Sequence, residues 1–258
     1  MTRRRKTGAA GHRRSKGSRR GTTPLPRLRR WLRARTKPGS RRRPRDPRQR
    51  LFRAAWLLAR TLLFAALPFF LLVRGSVAAH TAIGAHGWIS LVLGMGLATT
   101  CLTLLASRLW RRLTGRERSR EIARNLALPL VLVFCVYCLG WLSGVNAKTE
   151  EIRGLYAELH PSLRLAIGTA ILFDSDVVIT EIARARGDYT RMGLSPLDDS
   201  LHFVQPDGWI HAIDLRTRGR SELRNGLAWL TFRVMGFRAL RHGGTGDHLH
   251  IALPRPST

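Results

Sequence analysis

Residues 54–73 read AAWLLARTLLFAALPFFLLV, and this apolar run decides the class of fold. A helix needs about 20 apolar residues to cross a bilayer core that is about 30 Å thick. Two further windows meet this requirement: WISLVLGMGLATTCLTLL at 88–105 and LALPLVLVFCVYCLGWLSG at 126–144. The sequence therefore predicts an anchor of three transmembrane helices within residues 51–144.

The segment before the first span, residues 1–50, carries 21 lysines and arginines and one acid, Asp46. Such a segment cannot bury enough apolar surface to offset the entropy lost on folding, so we expect a disordered basic tail. A basic arm binds either nucleic acid or an anionic lipid leaflet. Its position directly before a span favours membrane lipid, and no specific nucleic acid is expected as a partner.

The distribution of basic residues also predicts the orientation, because lysine and arginine in short loops stay on the cytoplasmic side of a membrane. The tail is strongly basic, the loop at 74–87 has one arginine, and the loop at 108–124 has seven. These segments alternate as inside, outside and inside. The N-terminus is thus predicted to be cytoplasmic, with residues 145–258 on the opposite side of the membrane.

Residues 145–258 have the mixed pattern of a small α+β domain with a mainly antiparallel sheet. Helical spacing occurs at 145–160, 163–173 and 221–234, and the last of these segments has Leu223, Leu227, Leu230 and Val234 on one face. β-Branched or alternating runs at 176–180, 209–215, 236–240 and 248–253 predict strands. All cysteines of the chain lie before residue 145, so this domain uses no disulfides.

Several polar residues of this domain could carry chemistry. Imidazole and carboxylate groups suit zinc, and a catalytic zinc site has three protein ligands and one position left for water. On a predicted strand, His248 and His250 should point to the same face. A single histidine of this kind is more often an ordinary hydrogen-bonded residue, and we treat His80 and His160 as background. The set that predicts a metal site is His202, His211, Asp214, Asp247, His248 and His250.

The order of three motifs resembles the zinc D,D-carboxypeptidases and endopeptidases of bacterial cell walls, which include D-Ala-D-Ala carboxypeptidases, dipeptidases and phage endolysins. The motifs are SLH at 200–202, HAIDLRTR at 211–218 and GDHLHI at 246–251, and the resemblance covers residues 160–253. It implies that Zn²⁺ is the cofactor and that His202, Asp214 and His250 are its ligands. It also implies that Asp247 or His248 takes a proton from the attacking water.

The same resemblance implies an arginine that holds the terminal carboxylate of the substrate. Arg184, Arg186 and Arg191 are the candidates, and Ser200 of the first motif is a further candidate for substrate binding.

One departure from the family concerns spacing. The first histidine of the family lies seven residues before the aspartate, whereas His202 lies twelve residues before Asp214. Either the extra residues at 204–209 form a loop, or the metal site has changed and His211 substitutes as a ligand. Asp207 stands at the usual spacing and is a weaker candidate.

The resemblance predicts a membrane-anchored zinc peptidase that hydrolyses peptidoglycan stem peptides. It would lie in the bacterial inner membrane, with the C-terminal domain in the periplasm or outside the cell. The alternative is a peptidase-like domain that has lost catalysis and binds cell-wall peptides or a partner protein. A third hypothesis places function in the basic tail, as a membrane tether for nucleic acid.

Overall fold

The computed structural model describes residues 47–185, 187, 199–244 and 246–257. Most of the predicted basic tail lies outside the described residues, as do Arg186 and Arg191. The chain divides into two compact units, Met1–Ala54 and Ala55–Thr258. The second unit contains most of the predicted anchor and the whole C-terminal domain, and the predicted boundary at residue 145 falls inside it.

Three long helices dominate the first half of the described chain: α1 at Pro47–Ile83, α2 at Gly87–Thr114 and α3 at Ser119–Gly140. The third contains a π-helical turn at Ala123–Ala127. In the part of the chain that the structure describes, these three are long and apolar enough to cross a membrane. The predicted helical anchor is confirmed in this sense, by length and composition.

The helices are longer than the predicted spans at several ends, since α1 begins at Pro47, α2 continues to Thr114 and α3 begins at Ser119. Two further ends differ where the anchor meets the domain. α1 continues to Ile83 instead of ending at residue 73, because Ser76, Val77 and His80 are buried there against the rest of the protein. The predicted loop at 74–87 therefore shrinks to residues 84–86. α3 ends at Gly140 rather than at residue 144, because the backbone becomes extended at Trp141 and a 3₁₀ turn follows at Gly144–Asn146.

The C-terminal domain is an α+β domain, as predicted. Its sheet is antiparallel and has the strand order β1-β2-β4-β3. Direct pairing of β2 with β4 sets Asp214 opposite His250. In chain order the elements are α4 Glu150–Gly154, a 3₁₀ turn at Leu155–Glu158, α5 Pro161–Phe173, β1 Ile179–Glu181, β2 Ala212–Arg216, α6 Glu222–Met235, β3 Arg238–His242 and β4 His248–Ala252.

Helix α5 joins the domain to the anchor helices. All of its residues from Pro161 to Ala170 are buried, and it packs against α2, α3 and α6. Polar bonds reinforce this junction: the hydroxyls of Ser76 and Ser162 lie 2.7 Å apart, and the Tyr156 hydroxyl donates to the carbonyl of Cys138 at 2.7 Å. The domain therefore rests directly on α1 and α3.

Helix α6 is held on the domain by a face that its apolar stripe does not predict. Ser221 caps its N-terminus by accepting the N–H of Arg224, and Phe232 and Met235 are the large buried side chains. The stripe of four aliphatic residues points outward instead, with exposed Leu223, Leu227, Leu230 and Val234.

Candidate metal centre

The pairing of β2 with β4 creates a compact group of three possible metal ligands. Directly opposed residues of an antiparallel pair project from the same face of the sheet, so Asp214 and His250 meet. Their Oδ1 and Nδ1 atoms are 2.8 Å apart. His202 Nε2 lies 3.3 Å from that Nδ1 and 3.4 Å from that Oδ1. We call these three residues the ligand triangle.

The dimensions of the ligand triangle suit a small divalent metal ion. With metal–ligand bonds of about 2.0–2.1 Å, tetrahedral geometry separates two ligand atoms by about 3.3–3.4 Å. The two sides that involve His202 already have this length. The third side has the length of a hydrogen bond and would open by about half an ångström on metal binding. These residues could therefore hold a metal ion with little movement.

His202 is held in the tautomer that a metal ligand requires. Its Nδ1 lies 2.7 Å from the carbonyl oxygen of Ile182. A carbonyl only accepts, so Nδ1 carries the proton and Nε2 presents a lone pair to the triangle. The backbone fixes the same residue, because the N–H of Arg184 donates to the carbonyl of His202. A carbonyl behind a ligating histidine is a common second partner in metal sites.

Asp214 is ionised although it is buried. Burial alone would raise its pKa, but the neighbouring imidazoles of His202 and His250 outweigh this effect and hold the pKa well below its usual value. Its other oxygen, Oδ2, accepts a hydrogen bond of 2.7 Å from Arg184, which also contacts Glu181 at 2.8 Å. Oδ1 thus faces the other two residues of the triangle as a negatively charged oxygen, while Arg184 holds Oδ2.

The extra residues between His202 and Asp214 form a hairpin, residues 204–210, which we call the insertion hairpin. Val204 pairs with Ile210, and the N–H of Gln205 donates to the carbonyl of Trp209 at 2.9 Å. Gly208 has a φ of +84°, a conformation that favours glycine. The hairpin bulges out, so His202 and Asp214 still meet in spite of their unusual spacing.

His211 and Asp207 are not part of the ligand triangle. The insertion hairpin carries Asp207 back onto His211, whose Nε2 donates to the Asp207 carboxylate at 2.9 and 3.1 Å. His211 also lies directly before β2 and three residues before Asp214, an odd separation, so alternation along the extended chain sends the two side chains to opposite faces. The structure therefore places the predicted substitute ligand in a different part of the molecule.

Asp247 and His248, the two candidates to take a proton from the attacking water, occupy different environments. Asp247 accepts two hydrogen bonds from Arg241, at 3.1 and 2.8 Å, and this arginine lowers the pKa of Asp247 below its usual value. His248 Nε2 lies 3.7 Å from Asp214 Oδ2, and its Nδ1 donates to the carbonyl of Gly246 at 2.6 Å. The ring of His242 stacks on His248 and supports it. His248 therefore presents a lone pair near the triangle, whereas Asp247 is engaged in an ion pair.

An open cleft of about 990 Å³ borders the ligand triangle. Its wall carries four cationic side chains and three carboxylates: Lys148, Arg184, Arg216 and Arg218, and Glu181, Asp214 and Asp247. Ser200 is buried, and its hydroxyl accepts a hydrogen bond from the backbone N–H of His202 at 3.2 Å. Ser200 therefore supports the backbone of this triangle residue. Among the three candidate arginines, Arg184 lies in this cleft and contacts Asp214.

Comparisons of this chain with protein-family models, with curated proteins and with solved structures find no match. The resemblance to zinc peptidases rests on the motifs alone, and what the geometry adds is a group that could hold a metal ion.

The structure also brings together residues that sequence reasoning treated as background. His80 and His160 lie with Asp207 in a second group that could hold a metal ion. The histidines are 80 positions apart, one in α1 and one just before α5, so neither spacing nor periodicity could have paired them.

Proposed function

We propose that this protein is a membrane-anchored, zinc-dependent peptidase that hydrolyses peptidoglycan stem peptides. The observation that carries the proposal is the ligand triangle, in which two imidazole nitrogens and one carboxylate oxygen converge within 3.4 Å of one another. This is the donor set and the ligand number of many catalytic zinc sites. The motifs that resemble cell-wall peptidases supply these same three residues.

The chain's own residues divide the chemical work. His202, Asp214 and His250 would hold the zinc ion, which when bound supplies an acidified water and a polarised scissile carbonyl. His248 Nε2 would accept a proton from the attacking water and return it to the leaving amine, as a general base and then a general acid. Arg184 keeps Asp214 oriented through Oδ2.

The charge of the cleft supports a substrate that carries carboxylates. Lys148, Arg216 and Arg218 line the same cleft as Asp214 of the ligand triangle. Stem peptides end in a free carboxylate, which such cations attract and orient. The proposed location agrees with this substrate: an N-terminus in the cytoplasm, a basic tail on the anionic inner leaflet, and a C-terminal domain outside the bacterial inner membrane.

The test uses the full chain, purified in detergent, with metal content measured by mass spectrometry and activity measured on muropeptides. The wild type should bind zinc and shorten the peptides, and His250→Ala should bind one zinc ion fewer than the wild type and lose the activity. His86→Ala is the matched control, because His86 is exposed and lies outside the ligand triangle. Folded wild-type protein that leaves muropeptides unchanged at saturating zinc would refute the proposal.

A second candidate function is peptide binding without catalysis. One observation favours it: Asp247, a candidate base, is engaged by Arg241. A binding domain of this kind should retain its affinity for muropeptides after a His248→Gln change, with no hydrolysis in either the wild type or the variant. Hydrolysis by the wild type would reject this alternative.

A further inference from the structure

A second cluster of histidines lies where α1 meets the C-terminal domain. The rings of His80, His160 and His211 contact one another edge to face, with centroids 4.8 to 5.3 Å apart. Asp207 reaches the cluster from the insertion hairpin. One ligand atom each from His80, His160 and Asp207 lies within 4.8 Å of the others. The cluster thus joins three segments that are distant in sequence.

Two nitrogens of this cluster are buried without a protein partner. His80 is 4% exposed and His160 is 0% exposed. In the described part of the chain, Nε2 of neither ring has a hydrogen-bond partner. Buried polar atoms nearly always have partners, and a bound ion is one of the few explanations for an exception. Two such atoms in a cluster that also holds a carboxylate make a bound cation the simplest explanation.

The positions of the protons on the histidine rings of this cluster are compatible with a bound cation if one proton, that of His160, changes its nitrogen. His80 Nδ1 donates to the carbonyl of Ala85 at 3.3 Å, which leaves a lone pair on its Nε2. His211 donates to Asp207 and so fixes the carboxylate. His160 Nδ1 accepts the N–H of Ser162 at 3.2 Å, so its proton sits on Nε2. A cation at Nε2 would move that proton to Nδ1 and break this single capping bond.

We propose that His80, His160 and Asp207 bind a second divalent transition-metal ion, with His211 as the residue that positions the carboxylate. Two imidazoles and one carboxylate form a donor set that zinc accepts. An open cavity of about 540 Å³, lined by His80, Asp207 and His211, gives an ion access from solvent.

The role of this ion would be structural. It would tie the end of α1 to the start of α5 and to the insertion hairpin. The hairpin already packs on the neighbouring helix, because Trp209 contacts Trp88 of α2 edge to face at 5.9 Å. The backbone completes the arrangement, since the N–H of His160 donates to the carbonyl of Ile210 at the base of the hairpin. The second site would therefore lock the domain onto its anchor.

The experiment counts zinc ions bound to the full chain in detergent after removal of all metal by a chelator, using calorimetric titration. The wild type should bind two ions, and His80→Ala and Asp207→Asn should each bind one. His202→Ala should also bind one, because it removes only the ligand triangle. His211→Ala should bind two ions but with about 10- to 100-fold weaker affinity at one of them. His86 lines the same cavity, so the His86→Ala variant is the control and should bind as many zinc ions as the wild type.

The outcomes separate this site from the proposed peptidase. If the ligand triangle binds no metal, the wild type binds one ion, which His80→Ala abolishes and His202→Ala leaves intact. The second site is overturned if His80→Ala and Asp207→Asn bind as many ions as the wild type. If His80→Ala does not fold, Asp207→Asn decides, because it leaves α1 unchanged.

Discussion

Replacing Gly168 with alanine should destabilise the protein, because α5 meets α3 at this residue without room for a methyl group. A Cβ at residue 168 would lie 2.5 Å from Cys138 Sγ, 3.0 Å from Cys138 Cβ and 3.3 Å from Cys138 Cα. Carbon atoms in contact normally lie about 3.5–4.0 Å apart. The Cys138 side chain can rotate, but its Cα and Cβ cannot leave without a movement of the helix.

The size of the effect follows from two opposing contributions. Overpacking a close-packed interior costs about 1–3 kcal/mol, and we take the upper end because two of the three contacts cannot be relieved by a rotamer change. Glycine to alanine in a helix otherwise gains about 1 kcal/mol of intrinsic stability. The free energy of unfolding should therefore fall by about 2 kcal/mol, the difference between these contributions.

A matched control is available in α6. A Cβ at Gly226 would meet no other atom within 4 Å, and this residue is exposed. Gly226→Ala should therefore raise the free energy of unfolding by up to about 1 kcal/mol. A double-mutant cycle with Cys138→Ala tests the contact itself: removal of Sγ eliminates the 2.5 Å clash, so Gly168→Ala should cost about 1 kcal/mol less in that background.

The assay is thermal unfolding of the full chain in detergent, followed by circular dichroism. For a chain of this length, 1 kcal/mol corresponds to about 2–4 °C, so Gly168→Ala should lower the melting temperature by about 4–8 °C. If Gly168→Ala and Gly226→Ala change the melting temperature equally, or if Cys138→Ala gives no relief, then α5 does not pack on α3 as described and the reasoning fails.

Three further predictions concern the two polar clusters. His160→Asn keeps a capping side chain but removes a ring whose pKa is about 2 when folded and about 6.5 when unfolded. Below pH 6.5 only the unfolded chain binds this proton, so the wild type should lose about 2 kcal/mol between pH 6.5 and 5 that the variant keeps, measured by melts in chelator-treated buffer. His248→Gln should lower hydrolysis of stem peptides by about 10²- to 10⁴-fold, whereas Asp247→Asn should change the rate only a few-fold; the reverse order would assign the base to Asp247. Arg184→Gln leaves buried Asp214 without its arginine and should lower the free energy of unfolding by about 3–5 kcal/mol, and an unchanged melting temperature would contradict this.

The helical anchor could be predicted from sequence because apolar length is a local property. The limits of α1 could not, because residues 74–83 are only moderately apolar and are helical in contact with the domain. Ser76 illustrates the difference: it reads as a polar loop residue, but its hydroxyl is buried against Ser162. Such contacts depend on residues 86 positions away, and no window of the sequence contains them.

The stripe on α6 shows a second limit of sequence reasoning. Periodicity correctly indicates that Leu223, Leu227 and Leu230 share a face of a helix. It does not indicate which surface covers that face. In the structure Phe232 and Met235 are the large buried side chains of this helix, and the three leucines are exposed. Burial of a helix face is decided by the neighbouring element, which the pattern does not identify.

The ligand triangle could be predicted because two of its residues lie on strands whose alternation fixes their face. The register of the sheet then determines which residues meet, since pairing of β2 with β4 sets Asp214 opposite His250. The role of His202 cannot be decided from sequence, because a spacing of twelve residues fits either a bulge or a new ligand, and only the backbone bonds of the insertion hairpin distinguish them. His211 is the substitute that the sequence offers, but its side chain contacts Asp207 and lies away from the triangle.

The insertion hairpin connects the two clusters, and its position gives the unusual spacing a physical reason. The segment that separates His202 from Asp214 is the same segment that places Asp207 on His211 and Trp209 on Trp88. A shorter connection would suffice to hold the ligand triangle, because the backbone around His202 is already fixed by Arg184 and by the bond from the N–H of His211 to the carbonyl of Leu201. The additional residues instead contact α1 and α2. The spacing of twelve residues between His202 and Asp214 is therefore better explained by attachment of the domain to its anchor than by the use of His211 in place of His202 in the triangle.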